Sequence, residues 1–221
     1  MKVLMAISLS LLFVLTSQVL VYALTWDFDD TAQLKDWTVI NGKWSIEGGK
    51  LKGELLGDYM GIVAGDLGWS DYTLEMETTV VEGKYTYWMV RVQDNPLSYY
   101  AMERNESSSS PIWRRDAGTH TKIANDVALP ANNLESHIWK IEAKGDTITT
   151  YIDGKELLSA KDATYAKGRI GLGGHNSGSA TGKNVVTFDY VKVEGTGIPT
   201  AAAVKSIGKL SVAWGSLKVG Y

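Results

Sequence analysis

Two glutamates, Glu75 and Glu77, stand two residues apart in a segment that alternates apolar and polar side chains. On an extended strand this spacing places both carboxylates on one face, roughly 7 Å apart. Inverting glycosidases hold their two carboxyl groups about 6.5–9.5 Å apart, so this spacing allows acid–base chemistry on a sugar. A plain solvated strand face carries the same pattern, and both interpretations stay open.

A second group of residues combines aromatic rings with charged side chains, a combination that suits sugar binding. Rings stack on the flat C–H face of a sugar, whereas guanidinium and carboxylate groups bind its hydroxyls. Alternation along the predicted strands directs such side chains to a shared face, and the candidates are Tyr87, Arg91, Tyr99 or Tyr100, Glu103, Trp113, Arg114 and Arg115. The alternative is that the tyrosines fill the core and the arginines pair with acidic residues on a solvated sheet.

Several other chemistries find no support in the sequence. The chain has no cysteine, so it has no thiol nucleophile, no disulfide and no cysteine metal site. His120, His137 and His175 lack the close spacing of zinc ligands. No Gly-x-Ser-x-Gly elbow is present. The glycine-rich run 171–182 lacks the Gly-Lys-Ser/Thr ending of a phosphate-binding loop, so we interpret it as a flexible loop between strands.

Antiparallel strands must position these residues, because alternation with a period of two dominates the chain. In residues 139–155 the alternation is interrupted by a Gly-Asp and then an Asp-Gly pair, which are typical of hairpin turns. The longest hairpin signal, residues 70–93, has a first arm that places on one face Tyr72, Leu74, Met76, Thr78 and Val80. The pattern predicts an all-β sandwich of antiparallel sheets, each with one buried face and one wet face.

Helical periodicity is nearly absent from the rest of the chain. Residues 98–104 are predicted as a strand, the serine-rich run 105–111 as a loop, and the segments on either side of residue 117 as a further strand pair. Residues 124–136 form the longest segment without a pattern, and we expect the only helical turn there. The alternation stops after Gly195.

The first 23 residues have the composition of a secretory signal peptide. Lys2 is the only charge before Asp27, residues 3–21 are almost continuously apolar, and the Val-Tyr-Ala ending at residue 23 fits a small-residue cleavage site. An uncleaved anchor is the alternative, because an apolar run of ~20 residues spans a bilayer. We therefore expect a signal peptide 1–23, a β-sandwich 24–195, and a linker with a short tail 196–221.

Charge and composition restrict the partners. Removing Lys2 takes the formal net charge from −3 to about −4, and no basic block exists, so we expect no nucleic acid partner. Eight Trp and eleven Tyr against three Phe favour half-buried surfaces or surfaces that meet a ligand. We expect an exported monomer, extracellular or periplasmic, without membrane contact after signal cleavage.

The order of several segments resembles a known family. These segments are WTVINGKWSIEGGKLKG, SDYTLEME, VRVQDNPLSYYAMER, HIWKIEAKGDTITTYIDGKEL, GRIGLGG and VTFDYVKVEG. Together they resemble the laminin-G-like, concanavalin-like jelly rolls of secreted bacterial proteins, and most closely the branch named for 3-keto-disaccharide hydrolases, over roughly residues 25–194. The resemblance implies two antiparallel sheets packed face to face, one of them concave.

The resemblance leaves three functions open, since jelly rolls host many activities. We favour a non-catalytic module that binds oligo- or polysaccharide on the concave sheet. The alternative is a hydrolase acting on 3-keto-disaccharides or related glycosides, because a ketone acidifies the neighbouring C–H and permits elimination with a general base and often a cation. The candidate bases are Glu103, Glu75 and His120, while the E-x-D-x-x-E signature of jelly-roll glucanases is absent. A structural or adhesion domain is the third alternative.

The resemblance also implies a structural calcium site. In related jelly-roll glucanases an aspartate of the closing strand resembles a calcium ligand, and Asp189 holds that position here. Backbone carbonyls of Asp27 or Asp29 and of Gly48 or Gly49 would complete the site, since hard oxygen ligands suit Ca²⁺. The alternative is that Asp189 caps the sheet edge or pairs across it.

Overall fold

The computed structural model describes residues 22–55, 60–176 and 182–198, and these residues form two antiparallel sheets. The predicted all-β sandwich is therefore confirmed. Its strands are β1 (Tyr22–Trp26), β2 (Trp37–Val39), β3 (Lys43–Glu47), β4 (Lys50–Leu55), β5 (Met60–Ala64), β6 (Tyr72–Glu82), β7 (Tyr85–Val92), β8 (Tyr99–Arg104), β9 (Ser109–Asp116), β10 (Thr119–Ala128), β11 (His137–Lys144), β12 (Thr147–Ile152), β13 (Lys155–Lys161), β14 (Arg169–His175) and β15 (Asn184–Gly195).

The strands divide into a larger and a smaller sheet. The eight-stranded sheet has the order β13-β12-β11-β6-β15-β4-β3, and β1 pairs with the far end of β15. The seven-stranded sheet has the order β10-β9-β8-β7-β14-β5-β2. Strands β7, β8, β9 and β10 pair in chain order, so one consecutive meander brings their candidate residues side by side.

Strand β6 illustrates how the alternation builds the core. The five side chains predicted for one face are at most 4% exposed: Tyr72, Leu74, Met76, Thr78 and Val80. The side chains between them are half-buried. Across the sandwich, Trp88 of β7 stacks on Trp139 of β11 with ring centroids 4.2 Å apart. Burying each large apolar side chain stabilises the fold by about 1.5–3 kcal/mol, so this inter-sheet stack anchors the two layers to each other.

The start of the described chain pairs with its last strand. Strand β1 begins at Tyr22 and pairs Ala23 with Glu194, so it extends two residues beyond the expected start of the sandwich at Leu24. Residues 1–21 and 199–221, which include most of the expected signal peptide and tail, lie outside the described residues. Among the residues that are described, no helix has the length and apolar character needed to cross a membrane.

Two local predictions were wrong. Residues 124–136 hold no helix, because β10 continues to Ala128 through two register shifts and the remainder forms turns, in which the Asn133 amide donates to the Pro130 carbonyl oxygen and the Glu135 amide to that of Asn132. A 3₁₀-helix lies instead at Thr31–Asp36, capped by the Asp30 side chain. The loop expected at 171–182 begins later, since β14 continues to His175; residues 177–181 lie outside the described part of the chain.

Arg91 interrupts the alternation of β7. Its backbone has φ +52°, and the pairing with β14 shifts at this point, as in a β-bulge. The side chain is fully buried, and its guanidinium donates to the carbonyl oxygens of Gly145 and Tyr165 at 2.8 and 2.9 Å and of Ser70 at 3.3 Å. Arg91 therefore ties β7 to the β11–β12 turn of the opposite sheet and does not share the face of Tyr87.

Candidate functional site

The outer face of the seven-stranded sheet collects most of the predicted candidates. Register places Glu103 opposite Tyr87, Arg115 opposite Tyr99, and His120 opposite Arg115. Residues that lie directly opposite each other in an antiparallel pair share a face. We call this surface the aromatic face, and its residues are Tyr85, Tyr87, Tyr99, Glu103, Trp113, Arg115, His120, Lys122 and His175.

Strand alternation also decides which of two adjacent tyrosines, Tyr99 or Tyr100, belongs to the aromatic face. Tyr99 belongs to the aromatic face, whereas Tyr100 lies in the main core and its hydroxyl donates to Asp162 Oδ1 at 2.7 Å. Arg114 likewise leaves the face, because its guanidinium pairs with Asp162 Oδ2 at 2.5 Å. Arg91 is the third candidate outside the face, for the bulge described above turns its side chain toward the opposite sheet.

Glu103 is a buried carboxyl at the middle of the aromatic face. It is 5% exposed, and burial raises its pKa above the ordinary value of 4.5. Hydrogen bonding from the Tyr87 and Trp113 side chains works in the opposite direction and lowers that pKa, while the charge of Asp126 adds to the rise. A carboxyl with a raised pKa holds its proton at a higher pH than an exposed one, which is the property that a general acid needs.

His120 lies beside Trp113, with ring centroids 5.6 Å apart. Burial, together with the nearby charges of Arg115 and His175, lowers its pKa to about 4. The imidazole is therefore neutral at neutral pH and can accept a proton or a hydrogen bond. Glu103 and His120 thus have pKa values shifted in opposite directions on one face.

His175 is a member of the site that the sequence analysis missed. Its ring stacks on Tyr85 with centroids 4.0 Å apart and lies 6.0 Å from the Tyr87 ring. Burial lowers the pKa of His175, and Glu106 partly offsets this. His175 lacks the spacing of a zinc ligand, so the sequence analysis did not select it. It follows Gly171 and Gly173 at intervals of two, however, and this spacing places all three residues on one strand face.

Exposure separates the aromatic face into two groups. Tyr87, Tyr99 and Arg115 are 3%, 0% and 6% exposed, and an Arg115 amino group donates to the Tyr99 hydroxyl at 3.3 Å. The partly exposed members are Tyr85, Trp113, His120 and His175. A ligand that approaches this face therefore meets the second group, and the first group supports it.

Glu75 and Glu77 lie on the opposite side of the molecule. They point outward from β6 in the eight-stranded sheet, where Glu75 stands between Lys140 and Lys192 and accepts a hydrogen bond from Tyr190 at 3.1 Å. Glu75 therefore does not join Glu103 and His120 in one constellation. This outer surface, which we call the charged face, includes Glu75, Glu77, Lys140, Glu142, Tyr151, Tyr190, Lys192 and Glu194.

The residues expected to bind calcium lie near one another. Asp189 is the extra residue of a bulge in β15, and its Oδ1 is 2.7 Å from Lys50 Nζ. Asp189 Oδ2 is buried without a hydrogen-bond partner among the residues described. Asp27 Oδ1 accepts from the Asp29 amide and from Gln33, and Gly49, beside Gly48, approaches Asp29.

The donor set fits a cation only in part. Asp189 Oδ2 offers an oxygen ligand, but Lys50 already neutralises this carboxylate. Within the described parts of the chain, no group of three or more His, Asp or Glu side chains has the arrangement of a metal site. The calcium site stays a prediction.

Two antiparallel sheets packed face to face define a jelly-roll sandwich. A family model described as the 3-keto-alpha-glucoside-1,2-lyase-like domain matches residues 25–194, and the chain belongs to this family. The resemblance stated from the sequence is thus confirmed.

Similar proteins agree on the fold. Levanase of Bacillus subtilis (strain 168) is 26% identical over 147 residues, which cover 64% of this chain and 21% of levanase, so the chain spans about a fifth of that relative. The carbohydrate-binding module CBM66 from Bacillus subtilis superposes with a TM-score of 0.56 and 22% identity, over 72% of this chain and 91% of the module. A prokaryotic beta-1,3-1,4-glucanase (lichenase) derived from a mouse hindgut metagenome gives a TM-score of 0.57 and 16% identity, over 77% of this chain and 98% of the glucanase.

Proposed function

We propose that this domain binds neutral oligo- or polysaccharides on its aromatic face. The observation that carries the proposal is the gathering of four partly exposed rings, Tyr85, Trp113, His120 and His175, on one face of the seven-stranded sheet. Aromatic rings stack on the C–H face of a sugar, and imidazole and indole nitrogens bind its hydroxyls. Buried Glu103 and Arg115 hold the surrounding strands in place.

The known relatives support this choice. One is named as a carbohydrate-binding module, another as a levanase and a third as a glucanase. We infer an exported monomer that acts outside the cytoplasm, with the first 23 residues as its signal peptide. Because an open face buries little ligand surface, we expect modest affinity for each site.

Affinity electrophoresis tests the proposal. The mature domain is run through gels that contain levan, β-1,3-1,4-glucan or other neutral polysaccharides, and at least one should retard it. Trp113→Ala should weaken the retardation by about tenfold or more, the range of a central aromatic anchor. Tyr151→Ala is the matched control, since it removes a partly exposed ring from the charged face and should leave retardation unchanged.

Two results would count against glycan binding. One is a parent domain that no polysaccharide retards, which would favour the adhesion interpretation. The other is a Tyr151→Ala variant that loses as much affinity as Trp113→Ala, because the ligand would then not lie on the aromatic face.

A second function, elimination or hydrolysis of a 3-keto glycoside, is favoured by the opposite pKa shifts of Glu103 and His120. In this reaction neutral His120 removes the proton beside the ketone. The electron pair then expels the glycosidic oxygen from the adjacent carbon, and protonated Glu103 gives that oxygen its proton. Both residues lie on the face that would hold the sugar.

Matched variants separate the two functions. Binding that survives Glu103→Gln and His120→Asn, without release of product from a 3-keto-disaccharide, supports the binding module. Product release by the parent that vanishes in both variants supports the enzyme. Glu75→Gln is the control, since Glu75 lies on the charged face and its loss should change neither readout.

A further inference from the structure

Asp126 is the centre of a small polar network beside the aromatic face. Its Oδ1 accepts hydrogen bonds from Asn105 Nδ2 and Ser109 Oγ, both at 3.0 Å. Its Oδ2 pairs with the ammonium of Lys122. Three strands meet here, because Asn105 follows β8, Ser109 opens β9, and Lys122 and Asp126 both belong to β10.

Irregular pairing makes the contact between Asp126 and Lys122 possible. Residues four apart on a regular strand are about 13 Å apart. The β9–β10 register shifts twice after Lys122, first before Ala124 and again before Val127. These shifts shorten the path along β10, so that the carboxylate reaches back to the ammonium.

Lys122 in turn contacts the aromatic ring that we assign to glycan binding. It lies directly opposite Trp113 in the β9–β10 ladder, and its ammonium sits 5.0 Å from the centroid of the ring. This distance is within the roughly 6 Å limit of a cation–π contact. Lysine has a flexible four-carbon stem with many rotamers, so the ammonium stays over the ring only while something holds it there.

We propose that Asp126 is a positioning residue for Trp113: it holds Lys122 against the indole ring and thereby fixes the ring in the orientation that receives a sugar. This role rests on the proposed glycan binding at the aromatic face. Asp126 itself touches no sugar. Hydrogen bonding from Lys122 lowers the pKa of Asp126, so the carboxylate remains charged through the pH range in which the domain would work.

The first experiment measures binding in gels that contain levan. Asp126→Asn keeps the size of the side chain and removes its charge, and it should weaken retardation about two- to fivefold, the range of an exposed cation–π contact. Lys122→Met should weaken it similarly, whereas Lys122→Arg, which keeps a cation over the ring, should restore most of it. Glu194→Gln is the matched control, since it breaks the exposed pair with Lys192 on the charged face and should have no effect.

A double-mutant cycle distinguishes positioning from a general loss of structure. If Asp126 acts through Trp113, Asp126→Asn should change retardation by levan in the parent and have no effect in a Trp113→Phe background. An equal loss in both backgrounds would overturn the proposal. The thermal midpoint of each variant shows whether the domain is still folded.

A second measurement does not depend on glycan binding. The fluorescence of Trp113, taken as the difference between the parent and Trp113→Phe, is quenched with neutral acrylamide. Asp126→Asn and Lys122→Met should both make Trp113 more accessible to acrylamide, while Glu194→Gln should not. If levan retards nothing, the glycan proposal fails for that polymer, and quenching still decides the positioning role. Unchanged quenching in both variants would refute it.

Discussion

The two outer faces of the sandwich come from the same alternating strands but carry opposite kinds of side chains. On the charged face, Lys192 forms an exposed ion pair with Glu194, and the Lys140 ammonium lies 3.9 Å from the centroid of the Tyr151 ring. On the aromatic face Glu103 is buried among rings and its pKa is raised. Exposed ion pairs contribute only about 0–1 kcal/mol, so the ion pairs of the charged face add little to stability, whereas the aromatic face holds polar groups that are buried.

Alternation alone explains only part of this difference. It identifies which side chains leave the core, and it does so equally well for Glu75 and for Glu103. It does not tell which outer face would bind a ligand, because that depends on which polar groups are buried and on how the strands pair. Both properties arise from strands that are distant in the sequence.

The largest effect that we expect comes from the buried arginine behind the aromatic face. Arg91→Met keeps the length of the side chain but leaves the carbonyl oxygens of Gly145, Tyr165 and Ser70 without their donor. Each lost hydrogen bond costs about 0.5–1.5 kcal/mol, and the buried guanidinium donates three of them to these carbonyl oxygens, so the free energy of unfolding should fall by about 2–4 kcal/mol. Urea denaturation followed by tryptophan fluorescence measures this.

Arg169→Met is the control for Arg91. Arg169 is partly exposed and its guanidinium donates to the Gln93 carbonyl oxygen at 2.9 Å, so its loss should cost less than about 1 kcal/mol. If both variants lose the same stability, Arg91 is not the connection between the seven-stranded sheet and the turn at Gly145. The two sheets would then be joined by apolar packing alone.

Arg91 also marks the limit of prediction from the sequence. Counting by twos along β7 places Arg91 with Tyr87 on the outer face, and that count is correct up to Met89. The bulge at Arg91, with φ +52°, turns its side chain away, and a single sequence carries no signal for a non-glycine residue in this conformation. The fold followed from alternation and turn pairs, whereas this one backbone angle changed the composition of the site.

The site itself was predicted in part. Tyr87, Tyr99, Glu103, Trp113 and Arg115 are on one face as the alternation of β7, β8 and β9 required. The two residues that we add to the candidate site, His175 and Asp126, depend on the pairing of β14 with β7 and on shifts in the β9–β10 ladder, and these non-local features cannot be read from one segment.

The next prediction concerns the pH dependence of stability, which we expect to come from titratable residues of the aromatic face. The folded pKa of His120 is about 4, against an ordinary value of 6.5. Between these values the unfolded chain binds a proton that the folded chain does not, so this residue makes the domain less stable as the pH falls. The thermal midpoint of His120→Asn should therefore decrease less than that of the parent between neutral pH and about pH 4.

Glu103→Gln should change the same profile in the opposite direction. The raised pKa of Glu103 means that the folded domain takes up a proton before the unfolded chain does, and this stabilises the fold as the pH falls. Without that group, the midpoint should decrease more steeply than in the parent. Identical profiles for the parent and both variants would mean that the acid sensitivity originates elsewhere, for example on the charged face.

The smallest effect concerns calcium and the eight-stranded sheet. If Asp189 binds Ca²⁺ through its buried Oδ2, millimolar calcium should raise the thermal midpoint by about 2–4 °C. Asp189→Asn should abolish this increase, and Lys50→Met should enlarge it, because the ammonium competes with the ion for the same carboxylate. A midpoint that responds equally in the parent and in Asp189→Asn would show that calcium acts at another place. A rise in the thermal midpoint that requires Asp189 would show that a cation stabilises the eight-stranded sheet, at a place separate from the aromatic face.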